Sequence, residues 1–297
     1  MKTSLLALFV LLAVPFVGTA QVSVEVLLPP GQQQFLVGES LPVAVRIKNR
    51  SGQTLKMGTD PDWLTFSLES REGFIVIKKG EVPVKGEFNL KSSQVATTRR
   101  VDLAPYFALP RQGRYNVAAT VRIQEWNAEV TSEAVSFDVI SGVKLWSEVF
   151  GVTDSTAGTN SPPEVRKFTL EQANYLRSQP RLYMRLTDAQ GDKVIKVTAI
   201  GPMVSFGTPE AELDKVSAMH VLYQNGARSF GYNVFSADGE LVIRQSYDYS
   251  DTRPRLATDQ KGNIGVVGGF RRRSGSDLPV ETDTAIEVTP PKAVALP

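Results

Sequence analysis

The 297-residue chain contains no cysteine and a single histidine, His220. Without thiols it can form no disulfide, no thiolate metal site and no cysteine nucleophile, so packing alone must hold it together. A structural zinc site commonly draws on several Cys or His, and a Ser-His-Asp relay would have to be built on His220. That histidine sits in AMHVLYQ, on the strand face opposite Met219, Val221 and Tyr223, where a hydrogen-bonded structural role is expected. Charge is nearly balanced, with 33 Lys+Arg against 31 Asp+Glu, so no broad basic field exists to hold nucleic acid. The dense cationic cluster Arg271-Arg272-Arg273 reads as a solvated domain edge. A Gly-x-Ser-x-Gly elbow, a phosphate loop and a dinucleotide fingerprint are all missing. The glycines between Gly265 and Gly269 open no helix and suit close strand packing instead. These absences imply no cofactor, no metal and no catalytic residue, and the chain is expected not to be an enzyme.

Long apolar runs are scarce as well, apart from one at the N-terminus. Lys2 precedes the run Leu5–Val14, Pro15 breaks it, and Gly18-Thr19-Ala20 supplies small residues before Gln21. This is the pattern of a cleaved secretory signal, and the run falls short of the roughly 20 apolar residues that a membrane span needs. Residues 1–20 are therefore expected to be a signal peptide. The mature protein is expected to be secreted or periplasmic, with no membrane insertion after cleavage. Asn49-Arg50-Ser51 has the form of a glycosylation acceptor, but so short a match arises by chance.

What is present is β pattern. Val22, Val24 and Val26 alternate with polar residues, as do Val43, Val45 and Ile47, then Leu64, Phe66 and Leu68, then Val135, Phe137 and Val139. Period-two alternation buries one face and wets the other, and turn clusters such as Pro29-Pro30-Gly31 and Arg71-Glu72-Gly73 separate the runs. In LPRQGRYNVAATVRI, Tyr115 begins a strand just after a Pro/Gly turn. It resembles the tyrosine corner of immunoglobulin-like and fibronectin type III sandwiches. GESLPVAVRIKNRSG resembles the second strand of bacterial immunoglobulin-like domains. Together these span residues 21–142 and imply a sandwich, a fold that hosts many unrelated roles.

The fold class expected is all-β: an immunoglobulin-like sandwich over residues 21–152, then a second antiparallel β domain over 165–272. Between them 153–164, rich in Ser, Thr, Gly and Pro, reads as a linker, and Pro-rich 273–297 reads as a disordered tail. Within the second region Asn225-Gly226, Ala237-Asp238-Gly239 and Asp259–Gly262 mark hairpins. HVLYQ, ARSFGYNVF and ELVIRQSY are expected to form one antiparallel meander. Thr169 with Gln172 fits a helix cap, or equally a strand, and Thr208-Pro209-Glu210 fits a helix start. RLATDQKGNIGVVGG, from Arg255, resembles part of a β-propeller blade. Its turns recur at Gly191, Gly239 and Gly262, however, 48 and then 23 residues apart, whereas blades repeat evenly at about 40–50. A small sandwich or barrel, or partial blade-like sheets, is expected rather than a propeller. HVLYQ and NIGVVGG carry little edge protection, so an edge is expected to be covered by the first domain or by another chain.

The pairs Asp60/Asp62 and Asp248/Asp251 could hold calcium or act as acid and base, but both stand in turn-rich contexts. Tyr247 and Tyr249, two residues apart on a strand, and Trp126, in the loop QEWNAEV, are the candidate contacts for a partner or glycan. The function expected is an exported non-catalytic binding or scaffold protein whose partner is an envelope or extracellular protein. The alternative is a carbohydrate-binding or accessory module.

Overall fold

The computed structural model describes residues 21–152, 164–174 and 179–279. The expected signal peptide, most of the expected linker and the tail beyond 279 lie outside the described residues. In chain order the first strands are β1 (Val22–Leu27), β2 (Gln34–Leu36), β3 (Pro42–Asn49), β4 (Leu55–Met57), β5 (Leu64–Ser70) and β6 (Phe88–Leu90). Then come β7 (Val95–Thr97), β8 (Val101–Asp102), β9 (Gly113–Ile123), the 3-10 turn η1 (Gln124–Trp126), β10 (Ala128–Thr131) and β11 (Val135–Ile140). The later strands begin with β12 (Val143–Val152), β13 (Glu164–Ala173), β14 (Arg181–Asp188), β15 (Val194–Pro202), β16 (Glu210–Leu213) and β17 (Met219–Gln224). They end with β18 (Ser229–Phe235), β19 (Leu241–Asp248), β20 (Arg255–Thr258), β21 (Ile264–Val267) and β22 (Phe270–Arg272). The protein is all-β.

The chain divides into two compact units, and the division is not a single cut. Residues 21–33, 41–108 and 113–138 form the first, while 34–40, 109–112 and 139–279 belong to the second.

In the first unit, β1, β3 and β7 form an antiparallel sheet that β8 extends along β3. The register pairs Val24 with Ile47 and Val26 with Val45, so the alternating apolar residues share one buried face. In the second sheet β9 lies between β5 and the β10–β11 side. Every second residue of β9, from Tyr115 to Ile123, is fully buried. Tyr115 stacks on Phe137 at 5.7 Å and meets Phe74 edge-on at 5.6 Å. Burying each such side chain contributes about 1.5–3 kcal/mol, which is why the alternation dictates the register. Asn49 is buried, and its amide donates to the Gln53 and Leu90 carbonyls at 2.7 and 2.9 Å. Both amide hydrogens of the glycosylation-like triplet are thus committed to the fold.

The second unit is a sandwich of two meanders. One sheet runs β12-β13-β14-β15 and the other β16-β17-β18-β19-β22. Phe168, Leu170, Leu182, Met184 and Leu186 of the first pack against Met219, Val221, Tyr223 and Phe235 of the second. The opposite face of β17–β18 is also buried, because Leu222, Phe230, Tyr232 and Val234 lie under Leu256 and Val266 of the β20–β21 hairpin. Burial on both faces accounts for the nearly unbroken apolar character of MHVLYQ and SFGYNVF. The meander β17-β18-β19 forms as its hairpin signals indicate.

Several expectations require correction. Thr169 and Gln172 cap no helix; they lie in β13, whose ladders with β12 and β14 bind it on both sides. Thr208-Pro209-Glu210 leads not into a helix but into β16, which pairs with β17. The edge of HVLYQ is therefore covered by a strand of its own unit, and β21 is paired with β20. Val143–Val152, included in the expected first domain, is an edge strand of the second unit. The described end of the expected linker is Glu164, and it is the register partner of Val152. A cut between them would open two neighbouring strands of one sheet, not separate two domains. The expected tail also begins too early, since Leu278 bridges to Arg244 and Asp277 is buried, accepting from the Ser274 hydroxyl at 2.6 Å.

Candidate functional site

A cleft of about 610 Å³ lies in the first unit. One wall is the segment Pro83–Phe88; the other is Ala96–Arg99 with Val101; Ile47 and Trp63 lie between them. Trp63 pins the first wall: its indole N–H donates to the Val84 carbonyl at 2.9 Å, and its ring meets Phe88 edge-on at 5.8 Å. A close backbone approach supports the same wall. Gly58 has φ +83°, and a Cβ there would stand 1.9 Å from the Gly86 carbonyl oxygen. Only glycine admits both the left-handed backbone and that contact.

The rim carries Lys85, Glu87 and Arg99. Glu87 is matched by Lys56 at 2.8 Å, a contact that raises the Lys56 pKa through hydrogen bonding and charge. Among the described residues Lys85 and Arg99 have no ion-pair partner, so the mouth has a cationic excess. The Thr98 hydroxyl accepts from the Val45 N–H at 3.0 Å. The lining thus offers an apolar surface, one spare threonine hydroxyl, peptide groups and positive charge.

A second feature, in the other unit, surrounds His220, which is only 7% exposed. Its Nδ1 lies 2.7 Å from the Tyr232 hydroxyl and its Nε2 3.3 Å from Asp214 Oδ2. Asp214 Oδ1 in turn accepts from the Val216 and Ala218 N–H groups at 3.0 and 2.8 Å. Burial pushes the Tyr232 phenol up to about 12. The histidine is a hydrogen-bonded structural residue, tying β17, β18 and the β16–β17 turn together. Tyr232→Phe should strand a buried ring nitrogen and lower unfolding free energy by about 1–3 kcal/mol, measurable by urea titration.

Of the sequence candidates, Tyr247 is half-buried, edge-on to Tyr232 at 6.3 Å, and its hydroxyl donates to Gln245 at 2.9 Å. Tyr249 falls just past the end of β19 and is 43% exposed, with the Arg228 guanidinium 5.6 Å from its ring centre. Trp126 closes η1 in the first unit and is half-buried. The tyrosines lie in the second unit, so the three aromatics do not form one constellation within either unit. Asp62 pairs with Arg122 at 3.3 Å and Asp248 with Arg272 at 3.6 Å, while the Asp60 carbonyl accepts from the Trp63 N–H in a turn. Among the described residues no three His, Asp or Glu gather as metal ligands.

No family model matches the chain, and no curated protein matches it. Solved structures do. The sporulation control protein Spo0M of Bacillus subtilis is 11% identical with a TM-score of 0.28, covering 85% of this chain and 91% of its own. The E. coli chaperone DraB is 13% identical at TM-score 0.22, with coverages of 77% and 98%. The Salmonella enterica SafA pilin in complex with the SafB chaperone is matched at 12% identity and TM-score 0.22, with coverages of 75% and 96%. At this overlap the similarity carries no functional information, and the cleft must be interpreted from its own chemistry.

The cleft has no local sequence signature because one of its walls, Pro83–Glu87, is irregular and the other is built on the short strands β7 and β8. Residues 71–87 join β5 to β6 without a named strand. A connection longer than about 12–15 residues in a compact domain usually serves a function, and that length was the available signal.

Proposed function

We propose that the protein is an exported, non-catalytic binding or scaffold protein that holds a partner protein through the cleft of its first unit. The observation that supports this is the conjunction of an apolar cleft of about 610 Å³ with Lys85 and Arg99 at its mouth, neither of which has an ion-pair partner among the described residues. Buried apolar surface supplies affinity, and rim charge selects the partner and speeds encounter. Trp126 and Tyr249 are further contact positions on the same reading. Export rests on the N-terminal pattern of Lys2, Leu5–Val14 and Gly18-Thr19-Ala20. The exported protein should begin at Gln21, and its intact mass checks this; a mass retaining residues 1–20 would mean an anchored form.

The binding test is co-purification from the native envelope alongside a glycan array. Thr97 is an exposed lining position, so Thr97→Trp should block the mouth without disturbing the core. A protein retained by the wild type and lost with Thr97→Trp, at equal Tm, supports the reading. Specific glycan retention that Thr97→Trp leaves intact would transfer the function to the carbohydrate-binding alternative.

A further inference from the structure

The Ala96–Val101 wall of the cleft is also the open edge of a sheet. β7 stands at the end of the order β1-β3-β7. The Thr98 N–H donates to the Val45 carbonyl at 2.9 Å, and the Gln94 carbonyl accepts from the Asn49 N–H at 3.0 Å. With Ile47 opposite Ala96, the Gln94 carbonyl, the Ala96 peptide groups and the Thr98 N–H turn towards β3. Antiparallel alternation then turns the N–H and C=O groups of Val95, Thr97 and Arg99 the other way, to the open side. The ladder breaks just beyond. β8 pairs Val101 with Val43, so the two residues between Thr98 and Val101 stand opposite the one between Val45 and Val43, which is a bulge. The available edge is therefore short and has a defined end at Arg99.

Resting on the cleft-binding reading above, we propose that the cleft takes an extended acidic-apolar segment of a partner protein as an added β-strand alongside Val95–Arg99. An added strand would pair with the outward peptide groups of Val95, Thr97 and Arg99. Its alternate side chains would then face two environments. Those pointing inward meet Trp63, Val84 and Phe88, which calls for Val, Ile or Leu. Those pointing outward run beside the cations Arg99 and Lys85, which calls for Asp or Glu. The open edge supplies main-chain affinity, and the bulge with its arginine sets where the segment stops.

The test uses the full mature protein and two capped hexapeptides, one alternating valine with glutamate and one alternating valine with lysine. The glutamate peptide should bind at least about tenfold more tightly, and Arg99→Glu should reverse that preference. On saturation, amide exchange at Val95, Thr97 and Arg99 should slow, while Ala96 and Thr98, already committed to β3, should change little. N-methylation of the peptide should weaken binding about tenfold at one set of alternate residues and leave the other set nearly unaffected, as loss of edge hydrogen bonds requires. A glutamate peptide that binds without protecting Val95, Thr97 and Arg99 overturns strand addition while leaving the cleft a binding site. Strand addition is equally overturned if neither peptide binds but a native partner is still lost with Thr97→Trp. If no peptide and no native partner depends on the cleft, both readings fall.

Discussion

Phe168→Ala is expected to lower the stability of the second unit by about 3–5 kcal/mol. Phe168 is fully buried, stacks on Phe150 at 4.7 Å and stands in the core between the two meanders. The site has little freedom to collapse. β13 is held by ladders on both sides, so its backbone cannot move in to fill the void. The neighbours Leu170, Met184 and Leu186 are themselves fully buried, and filling the void would draw them out of contacts they already make. Guanidinium unfolding followed by intrinsic fluorescence would measure the change. A loss under about 1 kcal/mol would mean that the two meanders are not joined through this core.

Gly58→Ala should be comparably damaging, for a different reason. Its φ of +83° costs an L-residue about 1–3 kcal/mol, and displacing the Gly86 carbonyl from 1.9 Å adds an overpacking cost of similar size. Together these come to about 2–6 kcal/mol. Gly31→Ala separates the two effects, since Gly31 has φ +71° but nothing within 4 Å of where a methyl would stand. Gly31→Ala should show only the backbone cost. Because Gly86 lines the cleft, Gly58→Ala should also weaken partner binding under conditions where the protein is still folded. Equal Tm losses for the two variants would show that the Gly58–Gly86 approach is not tight in solution.

The legible parts of the fold were those where one face is wet. In β1, β3, β5 and β9 the alternation of Val, Leu and Phe with polar residues reports the register directly. Hairpin turns at Asn225-Gly226 and Ala237-Asp238-Gly239 gave the β17-β18-β19 meander for a similar reason, since such turns leave few alternatives. Legibility fails where long-range pairing outweighs local preference. Thr169 and Gln172 carry a helix-cap spacing, yet two ladders and the burial of Phe168 and Leu170 determine the outcome. Glu210–Leu213 is too short to show a period, so the strand covering β17 could not be read. The boundary between units was obscured by composition, because a Ser/Thr/Pro-rich stretch joins strands just as it joins domains. The cleft depends on Trp63 reaching the Val84 carbonyl across a long irregular connection, a contact that no local pattern encodes.

The second unit contains a piece of chain made long before the rest of it. Leu36, from the short strand β2, packs with Ala173, Tyr183 and Val197 in a buried cluster. During synthesis from the N-terminus, residues 34–40 emerge before β14 and β15 and have nowhere to settle until those strands follow. The unit therefore cannot mature vectorially, one segment after another; its closure waits on a contact of high sequence separation, which is slow to form. A fragment starting at Val139 would be born with a vacancy where Leu36 belongs. Residues 34–40 supplied as a separate peptide would then act as a missing keystone, restoring in trans what the intact chain achieves only after β15 has been made.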